Sequence, residues 1–258
     1  MASICISIVT YNSEPVFKAL DNLVQQIKGK ENIWIKVFDN NSEENYQQRL
    51  MEYEEIVLTL HDENLGFGAA HNHNLKDTEA DYYLVFNPDV LVDFVTIDIL
   101  FEYIDKNPDI VMITPRIENL DGSPQYLVRN RLSLFDFFLR RQPLPILREK
   151  IFKRRMEQFE NRLLPIDQPS DISIASGCFM FIRTSTFKKV NGFDEQFFMY
   201  FEDYDLCNRL NKEGRIVYYP QVSVTHFWER GSHKKSNLFK IFIHSMISYF
   251  NKWGWTFF

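Results

Sequence analysis

The chain has 258 residues, 45% of them hydrophobic and 16% aromatic, which is enough apolar surface for a full core and too much for a disordered or fibrous protein. A formal net charge of −6 supplies no general basic face for phosphate neutralisation, so a nucleic-acid binder is excluded as the default. Three cysteines, Cys5, Cys178 and Cys207, are odd in number and lack Cys-x-x-Cys spacing. They suit neither a disulfide framework nor a zinc site and are expected to be reduced thiols of a cytosolic protein.

In chain order, Ile4 to Val9 is an apolar, β-branched run that stops at Thr10 with no basic residues before it, so it reads as a first strand and not a signal peptide. Phe17, Leu20, Leu23, Val24 and Ile27 recur at helical spacing, and Ile33 to Phe38 is apolar again. The alternation continues with a helix from Glu43 to Glu52, a strand from Ile56 to Leu60, a helix from Gly68 to Lys76 and a strand from Tyr82 to Phe86. A helix from Val95 to Asn107 and a strand from Ile110 to Thr114 follow. Strands alternating with helices predict a mostly parallel central sheet flanked by helices, an α/β class.

After the turn pair Asp121-Gly122 the pattern changes. Between Arg129 and Arg162, basic residues (Arg129, Arg131, Arg140, Arg141, Arg148, Lys150, Lys153, Arg154, Arg155, Arg162) interleave with Leu, Phe and Ile, broken by Pro143 and Pro145. A regular segment is expected from Ile172 to Ile182, a helix from Glu202 to Glu213, and two strands near Ile216–Tyr219 and Val222–Thr225. The tail from Leu238 to Phe258 is rich in Phe, Ile, Trp and Tyr, with Lys240 and Lys252 beside them. No apolar stretch reaches the roughly 18 to 20 residues of a spanning helix, so the expectation is a protein in solution or on a membrane surface.

In open sheets of this kind ligands bind beyond the carboxyl ends of the strands. Three polar clusters fall there: "TYN" at 10–12, "DNNS" at 39–42 and "NPD" at 87–89. Asp89 follows a proline that fixes its own φ and pushes Asn87 into extended backbone, which aims the carboxylate reproducibly. A carboxylate in that position suits a divalent cation that bridges phosphates, although an acid in an ordinary turn reads the same way. A second acidic cluster, Glu202, Asp203 and Asp205, opens a predicted helix, where acids also serve as caps. Behind Phe197, Phe198, Met199, Tyr200 and Phe201 these carboxyls would be half desolvated, which raises their pKa toward that of a general base.

"SIVTYN", "VFDNNS", "ENLGFGAAHN", "FNPDV", "ASGCFMFIR", "VNGFDEQFFMYFEDYDLCNRL" and "YYPQVSVTHFWERGS" occur in that order over residues 3 to 232. In these motifs the chain resembles the family 2 glycosyltransferases that use nucleotide sugars, within the branch containing bacterial rhamnosyltransferases. The resemblance implies a GT-A fold over residues 1–232. Residues 1–115 would form the nucleotide-sugar half and 116–232 the acceptor half, with a basic helical insertion at 129–165. Residues 233–258 would be an amphipathic, membrane-associated helical extension.

It further implies that Thr10, Tyr11 and Asn12 line the nucleotide pocket and that Asp39 accepts a hydrogen bond from a pyrimidine. Asn64, Gly66, Phe67 and Asn72 would form the loop around nucleotide and sugar, with Asn74 where relatives often carry glycine. Asn87-Pro88-Asp89 stands where many relatives have Asp-x-Asp, leaving Asp89 as the main carboxylate on the metal, magnesium or manganese. His226 matches another metal ligand, Arg230, Ser232 and His233 would touch the pyrophosphate, and Asp203 matches the catalytic base with Glu202 orienting the site. The implied reaction is an inverting transfer of rhamnose from dTDP-β-L-rhamnose to a polyprenyl-diphosphate-linked saccharide. It would belong to polysaccharide and cell-wall biosynthesis at the inner face of a bacterial membrane.

Rival readings are a UDP-galactofuranose or other UDP-hexose transferase and a non-catalytic nucleotide-sugar scaffold. "GFGAAH" is no dinucleotide fingerprint, because the last glycine is His71 and the loop does not follow the first strand. The chain also lacks the Gln-x-x-Arg-Trp motif of processive synthases. The aromatic tail is compatible with a homodimer.

Overall fold

The first strand, β1 (Ile4–Thr10), is buried along its whole length. That is why it reads as a continuous apolar run: a parallel strand covered on both faces has no solvent side to keep polar. The computed structural model describes residues 2–129, 132–141, 144, 146–227 and 235–258. Around β1 stand β2 (Ile33–Asp39), β3 (Ile56–Leu60) and β4 (Tyr82–Phe86), all parallel. They are linked by α1 (Pro15–Ile27), α2 (Glu44–Leu50) and α3 (Phe67–Lys76). Pro15 at the first turn has no amide to waste, and α1 turns Val16, Ala19, Leu20, Leu23, Val24 and Ile27 inward.

The rest of the chain comprises β5 (Val90–Leu91), α4 (Phe94–Lys106), β6 (Ile110–Glu118), α5 (Leu134–Arg141), a π-helical turn (Leu147–Ile151), α6 (Lys153–Phe159) and β7 (Ser170–Asp171). It ends with β8 (Phe179–Arg183), α7 (Thr184–Lys189), α8 (Glu202–Leu210), β9 (Arg215–His226) and α9 (Lys235–Trp253). The sheet order is β3-β2-β1-β4-β8-β6-β9-β5, with β7 paired to β9. The mostly parallel α/β sheet expected from the sequence is thus observed, with a later strand inserted: β8 runs antiparallel between β4 and β6.

Other boundaries differ for identifiable reasons. The segment 172–182 is not one regular element, because residues 172–178 turn between β7 and β8. The two strands expected near 216–225 form one, β9, whose register against β6 slips between Pro115 and Arg116. Pro220 lies in that slip and has no N–H to donate to the ladder.

Alternation along the strands sends Ile4, Ile6, Ile8, Leu84 and Phe86 into a core under α1 and α4. Cys5, Tyr83, Val85, Met112 and Met180 enter a second core on the other face, completed by α5, α8 and α9. All three cysteines are free and buried. Among the described residues no helix is long and apolar enough to cross a membrane.

Candidate active site

At the carboxyl ends of β1 and β2 the polar clusters meet. Thr10 is buried with its hydroxyl on that of Tyr46, which in turn donates to the Ser13 carbonyl at 2.9 Å. Asn12, at φ 49°, accepts at its side-chain oxygen from the Glu43 amide at 2.8 Å, and its own N–H donates to the Ser42 hydroxyl. Tyr11 beside it is exposed. Asp39 is fully buried, and its Oδ2 accepts from the Ser42 amide (2.9 Å) and from Gln47 Nε2 (2.8 Å). Its Oδ1 is buried with no hydrogen-bond partner. A buried carboxylate oxygen left unpaired is costly unless a donor arrives from outside.

Asn40 joins this cluster to the next, accepting from Leu65 N and donating to the Gly66 carbonyl. Gly66 is required: at φ 84° a Cβ would lie 2.2 Å from the Phe198 carbonyl oxygen. Asn64 caps its amide at 2.9 Å, and Phe67 N donates to Phe198 O at 3.0 Å. Asn72 is a clamp, with Oδ1 on Phe193 N and Nδ2 on Phe193 O and Glu195. Its amide therefore holds the "GFDE" turn in place. Asn74 is buried and donates to Ser7 Oγ, which also bonds His71 Nδ1. Burial alone pushes His71 down to about 3, so the ring is neutral.

Beyond β4, Asn87 N donates to the Cys178 carbonyl and Val90 N to Asn87 O, which fixes the Asn-Pro-Asp turn. β5 then pairs Val90 with His226 at the end of β9, and Phe227 N donates to Asp89 O. This brings His226 Nε2 within 3.2 Å of Asp89 Oδ1, an atom with no hydrogen-bond partner. The tautomer follows from a chain of amides. Asn119 Nδ2 donates to Ser123, so Asn119 Oδ1 accepts from Gln125 Nε2, which also donates to the His226 carbonyl. Gln125 Oε1 is then the acceptor facing His226 Nδ1 at 2.8 Å, so Nδ1 carries the proton. The Nε2 lone pair and the Asp89 carboxylate consequently point at one another, an arrangement that needs a cation or a proton between them.

No group of three or more metal-ligating side chains occurs among the described residues. One carboxylate and one imidazole with a fixed tautomer nevertheless fit a magnesium- or manganese-type ion, provided that oxygens from outside the protein complete its ligand set.

The second acidic cluster stands on α8. Tyr200 and Phe201 precede it in the left-handed region, at φ 71° and 68°. Such backbone costs about 1–3 kcal/mol at each non-glycine residue, and burial of Phe201 among Phe137, Phe242 and Tyr249 holds it in place. Asp203 keeps some solvent exposure, and its carboxylate accepts from Gly177 N (3.2 Å) and Tyr204 N (2.9 Å). Burial pushes it up to about 6, while those amides and the Arg129 charge hold it down. Glu202 lies well above the usual carboxylate range, through burial and then the neighbouring Asp203 charge, and its Oε2 has no partner. Burial thus favours the protonated form of both carboxyls, and at Glu202 the neighbouring Asp203 charge adds to it. Asp205 is structural: it accepts from Arg209 (2.8 Å), Lys252 (2.6 Å) and Trp253 Nε1 (2.9 Å).

The turn Ser176–Cys178 links the two acidic centres. A Cβ on Gly177 would sit 3.2 Å from the Phe67 ring and 3.7 Å from Asp203 Cβ. Burial drives the Cys178 thiol up to about 12, and the charges of Asp89 and Asp203 both add to the rise. Asn87, Asp89, Phe67 and Asp203 are thus gathered around one turn, next to Gly66 and the ends of β1 and β2. Arg230, Ser232 and His233 lie outside the described residues, as do Arg131, Pro143 and Pro145.

Sequence reasoning missed Gln125, Asn119, Gly177 and Arg129. Arg129 is fully buried against the Phe159 ring, donates to the Tyr126 and Val128 carbonyls, and exchanges backbone hydrogen bonds with Ile174 just before the Gly177 turn. Its only advance sign was membership of a basic run that otherwise reads as solvated.

The chain is similar in sequence and in fold to known proteins. The model for glycosyl transferase family 2 matches residues 5–190, and one described as the N-terminal domain of galactosyltransferase matches residues 158–233. The chain belongs to glycosyl transferase family 2. It is 31% identical over 201 residues to the N-acetylglucosaminyl-diphospho-decaprenol L-rhamnosyltransferase of Mycobacterium tuberculosis, covering 73% of this chain and 64% of that protein. With the rhamnosyltransferase WbbL of Escherichia coli it shares 29% over 176 residues, 62% of this chain and 61% of the relative. It therefore spans somewhat less than two thirds of the length of these relatives.

Among solved structures, GalNAc-T7 with UDP, GalNAc and Mn2+ superposes with a TM-score of 0.65 at 13% identity, over 89% of this chain and 44% of the other. The mannosyltransferase PcManGT of Pyrobaculum calidifontis with GDP-Man and Mn2+ gives 0.62 at 13% identity, over 97% and 64%. The fold is accordingly GT-A, the α/β architecture expected from the motifs.

Proposed function

We propose that the chain is an inverting, metal-dependent glycosyltransferase that moves L-rhamnose from dTDP-β-L-rhamnose to a hydroxyl of a lipid-linked saccharide. The observation that carries this reading is Asp203, raised to about 6 and held by Gly177 N and Tyr204 N beside the buried Glu202, one turn away from the Asp89–His226 pair. Asp203 takes the proton of the acceptor hydroxyl as its oxygen forms the bond to the anomeric carbon. The bond from that carbon to the diphosphate oxygen breaks with its electron pair leaving on the diphosphate, and the configuration inverts. Asp89 and His226 would hold the divalent cation, which when bound neutralises charge on the departing diphosphate. Asp39 Oδ1, buried and unpaired, is supplied with a partner by a pyrimidine N–H. Thr10, Tyr11, Asn12, Asn64, Gly66, Phe67 and Asn87 line the donor side, and Asn72 positions the loop facing it.

Support for rhamnose comes from the names of both curated relatives, and support for a polyprenyl-diphosphate-linked acceptor from that of the mycobacterial one. Such an acceptor would station the enzyme at the inner face of a bacterial membrane. A UDP-hexose donor, galactofuranose included, is favoured instead by the galactosyltransferase model over residues 158–233. Incubating the chain with dTDP-rhamnose or UDP-galactofuranose, with magnesium, manganese or chelator, decides between them. Metal-dependent release of nucleoside diphosphate from dTDP-rhamnose, with sugar appearing on a polyprenyl-diphosphate saccharide, is expected. Donor binding without turnover under every condition would make the chain a scaffold, a reading that Asn87 in place of a first acid keeps open.

A further inference from the structure

We infer that α5, the π-helical turn, the start of α6 and the segment after α9 together form a face that docks on the surface of an anionic lipid bilayer. This rests on the proposed lipid-linked acceptor and names the surface by which the enzyme would meet it. Phe135 is the hub, with ring centroids 5.2 Å from Phe152, 5.2 Å from Phe258 and 6.3 Å from Phe138. The chain after α9 is pinned alongside, since Leu134 N donates to Thr256 O (3.0 Å) and Phe135 N to Phe257 O (3.2 Å). Around the hub large apolar side chains stand in solvent: Phe138 is 59% exposed, Ile151 63%, Phe257 60% and Phe258 73%. Trp255 is exposed as well, stacked between Phe250 and Phe257.

Charge selects the occupant. Residues 132–155 hold seven Lys and Arg against two Asp and Glu, and residues 235–258 hold no acid and three Lys, of which Lys252 is paired with Asp194 and Asp205, in a chain whose net charge is −6. One of those acids, Asp136, is buried and neutralised by Arg155 at 2.6 Å. Lys150, Lys153 and Arg154 are exposed beside Ile151 and Phe152. Aromatic and aliphatic side chains ringed by cations, within a protein that is otherwise acidic, match an anionic headgroup layer with acyl chains beneath it. A second copy of the chain would set these cations against one another.

The face is fastened to the reaction centre. Phe137 packs on Phe201, Ser245 donates to Met199 O, Asn208 to Tyr249 OH and Trp253 to Asp205. A membrane on this face would therefore lie next to the helix carrying Asp203, within reach of a saccharide presented from the bilayer.

The test is co-sedimentation of the 258-residue chain with vesicles of phosphatidylcholine alone or mixed with phosphatidylglycerol, at low and high salt. Binding to the anionic vesicles, weakened by salt and weak on the neutral ones, is expected. Lys150→Glu, Lys153→Glu and Arg154→Glu should each reduce the partition coefficient by at least about five-fold, near 1 kcal/mol per cation, and by more than 100-fold together. Ile151→Ser with Phe257→Ser should weaken the residual binding at high salt. All five positions are exposed, so circular dichroism should show an unchanged fold.

Equal binding to both vesicle types, no binding, or indifference to the charge reversals overturns the proposal. So does a dimer by light scattering that Phe257→Ser dissociates and that ignores vesicles, since a second copy would then own the face. Donor hydrolysis measured without vesicles reports separately on the transferase reading. A chain that binds vesicles and hydrolyses no donor leaves the docking face standing while that reading falls.

Discussion

The proposed donor end of the site, around Asp39, and its proposed catalytic end, around Asp89 and Asp203, are built differently. At the donor end, Thr10, Asn12, Asp39, Asn40 and Gly66 are held by backbone amides and neutral side chains within two adjacent strand ends, and a single carboxylate oxygen waits for a partner. At the catalytic end the contacts span the chain: residue 89 with 226, 125 with 226, 177 with 203. That end combines left-handed backbone at Tyr200 and Phe201, a Glu202 raised well above the usual carboxylate range by burial, and an Asp203 raised to about 6. On the proposed function the first end would receive a flat, neutral ring edge, while the second stores strain and displaced charge. Binding and chemistry should accordingly be separable by mutation.

The sharpest separation is Asp203→Asn. Donor affinity should be nearly unchanged, while turnover falls 10²-fold or more, as for other lost general bases. For the unaltered chain, kcat/KM should rise as pH increases through about 6, because the base must be ionised. Stability runs the other way. A carboxyl raised in the folded state binds its proton more tightly there, so its contribution is full below about 4 and is lost as pH rises toward 6. Asp203→Asn should then raise Tm at pH 8, by a few degrees for a cost on the order of 1–3 kcal/mol relieved. A variant that retains turnover, or loses donor affinity to the same degree, would erase the division between the two ends.

Two further substitutions probe each end in turn. Gln125→Leu removes the acceptor that fixes the His226 tautomer, and support of this kind is worth 10–100-fold in metal affinity. Manganese titration of the chain with nucleoside diphosphate, followed by electron paramagnetic resonance, should show that loss. Asp39→Asn would present the base edge with an amide in place of a charged acceptor, at a cost of about 1.5–3 kcal/mol for a charged hydrogen bond. Calorimetry should report roughly ten-fold or greater weakening for dTDP and UDP with metal affinity preserved. Equal damage to metal and nucleotide binding from either change would mean that the ends are one unit.

The donor end was also the more legible in sequence. β1 to β4 announce themselves by apolar runs, and their parallel order places "TYN", "DNNS" and "NPD" at one edge without any knowledge of distant contacts. The catalytic end depends on β8 entering antiparallel between β4 and β6 and on β5 pairing with β9, which no local period encodes. That is why no local signal points to Gly177, which donates to Asp203, or to Gln125, which faces His226, whereas Asp89, His226 and Asp203 stand out only through motif resemblance. The basic run misled in a different way. Arg129 is the largest fully buried side chain and Arg155 is locked to Asp136, whereas Lys150, Lys153 and Arg154 remain outside. Composition gives the number of cations but not which of them turn inward.

The smallest expected effect falls on Asn74. Its Nδ2 donates to Ser7 Oγ and, at 3.4 Å, to Lys36 O, beneath the donor loop. Lys36 Nζ and Thr78 Oγ1 bond only its backbone carbonyl and would keep those contacts in a glycine variant. Asn74→Gly therefore removes one good buried hydrogen bond, about 1 kcal/mol, and loosens α3 by up to about 1 kcal/mol of helix propensity. At 2–4 °C per kcal/mol for a chain near this size, Tm should fall by several degrees. Ser7 retains His71 as a partner, and Asn72 still clamps Phe193 and Glu195. The loop over the nucleotide should hence keep its place, and nucleotide affinity should change less than two-fold. A large affinity loss at unchanged Tm would mean that Asn74 shapes the receptor itself, and the donor end would extend down into the buried Ser7–His71 layer.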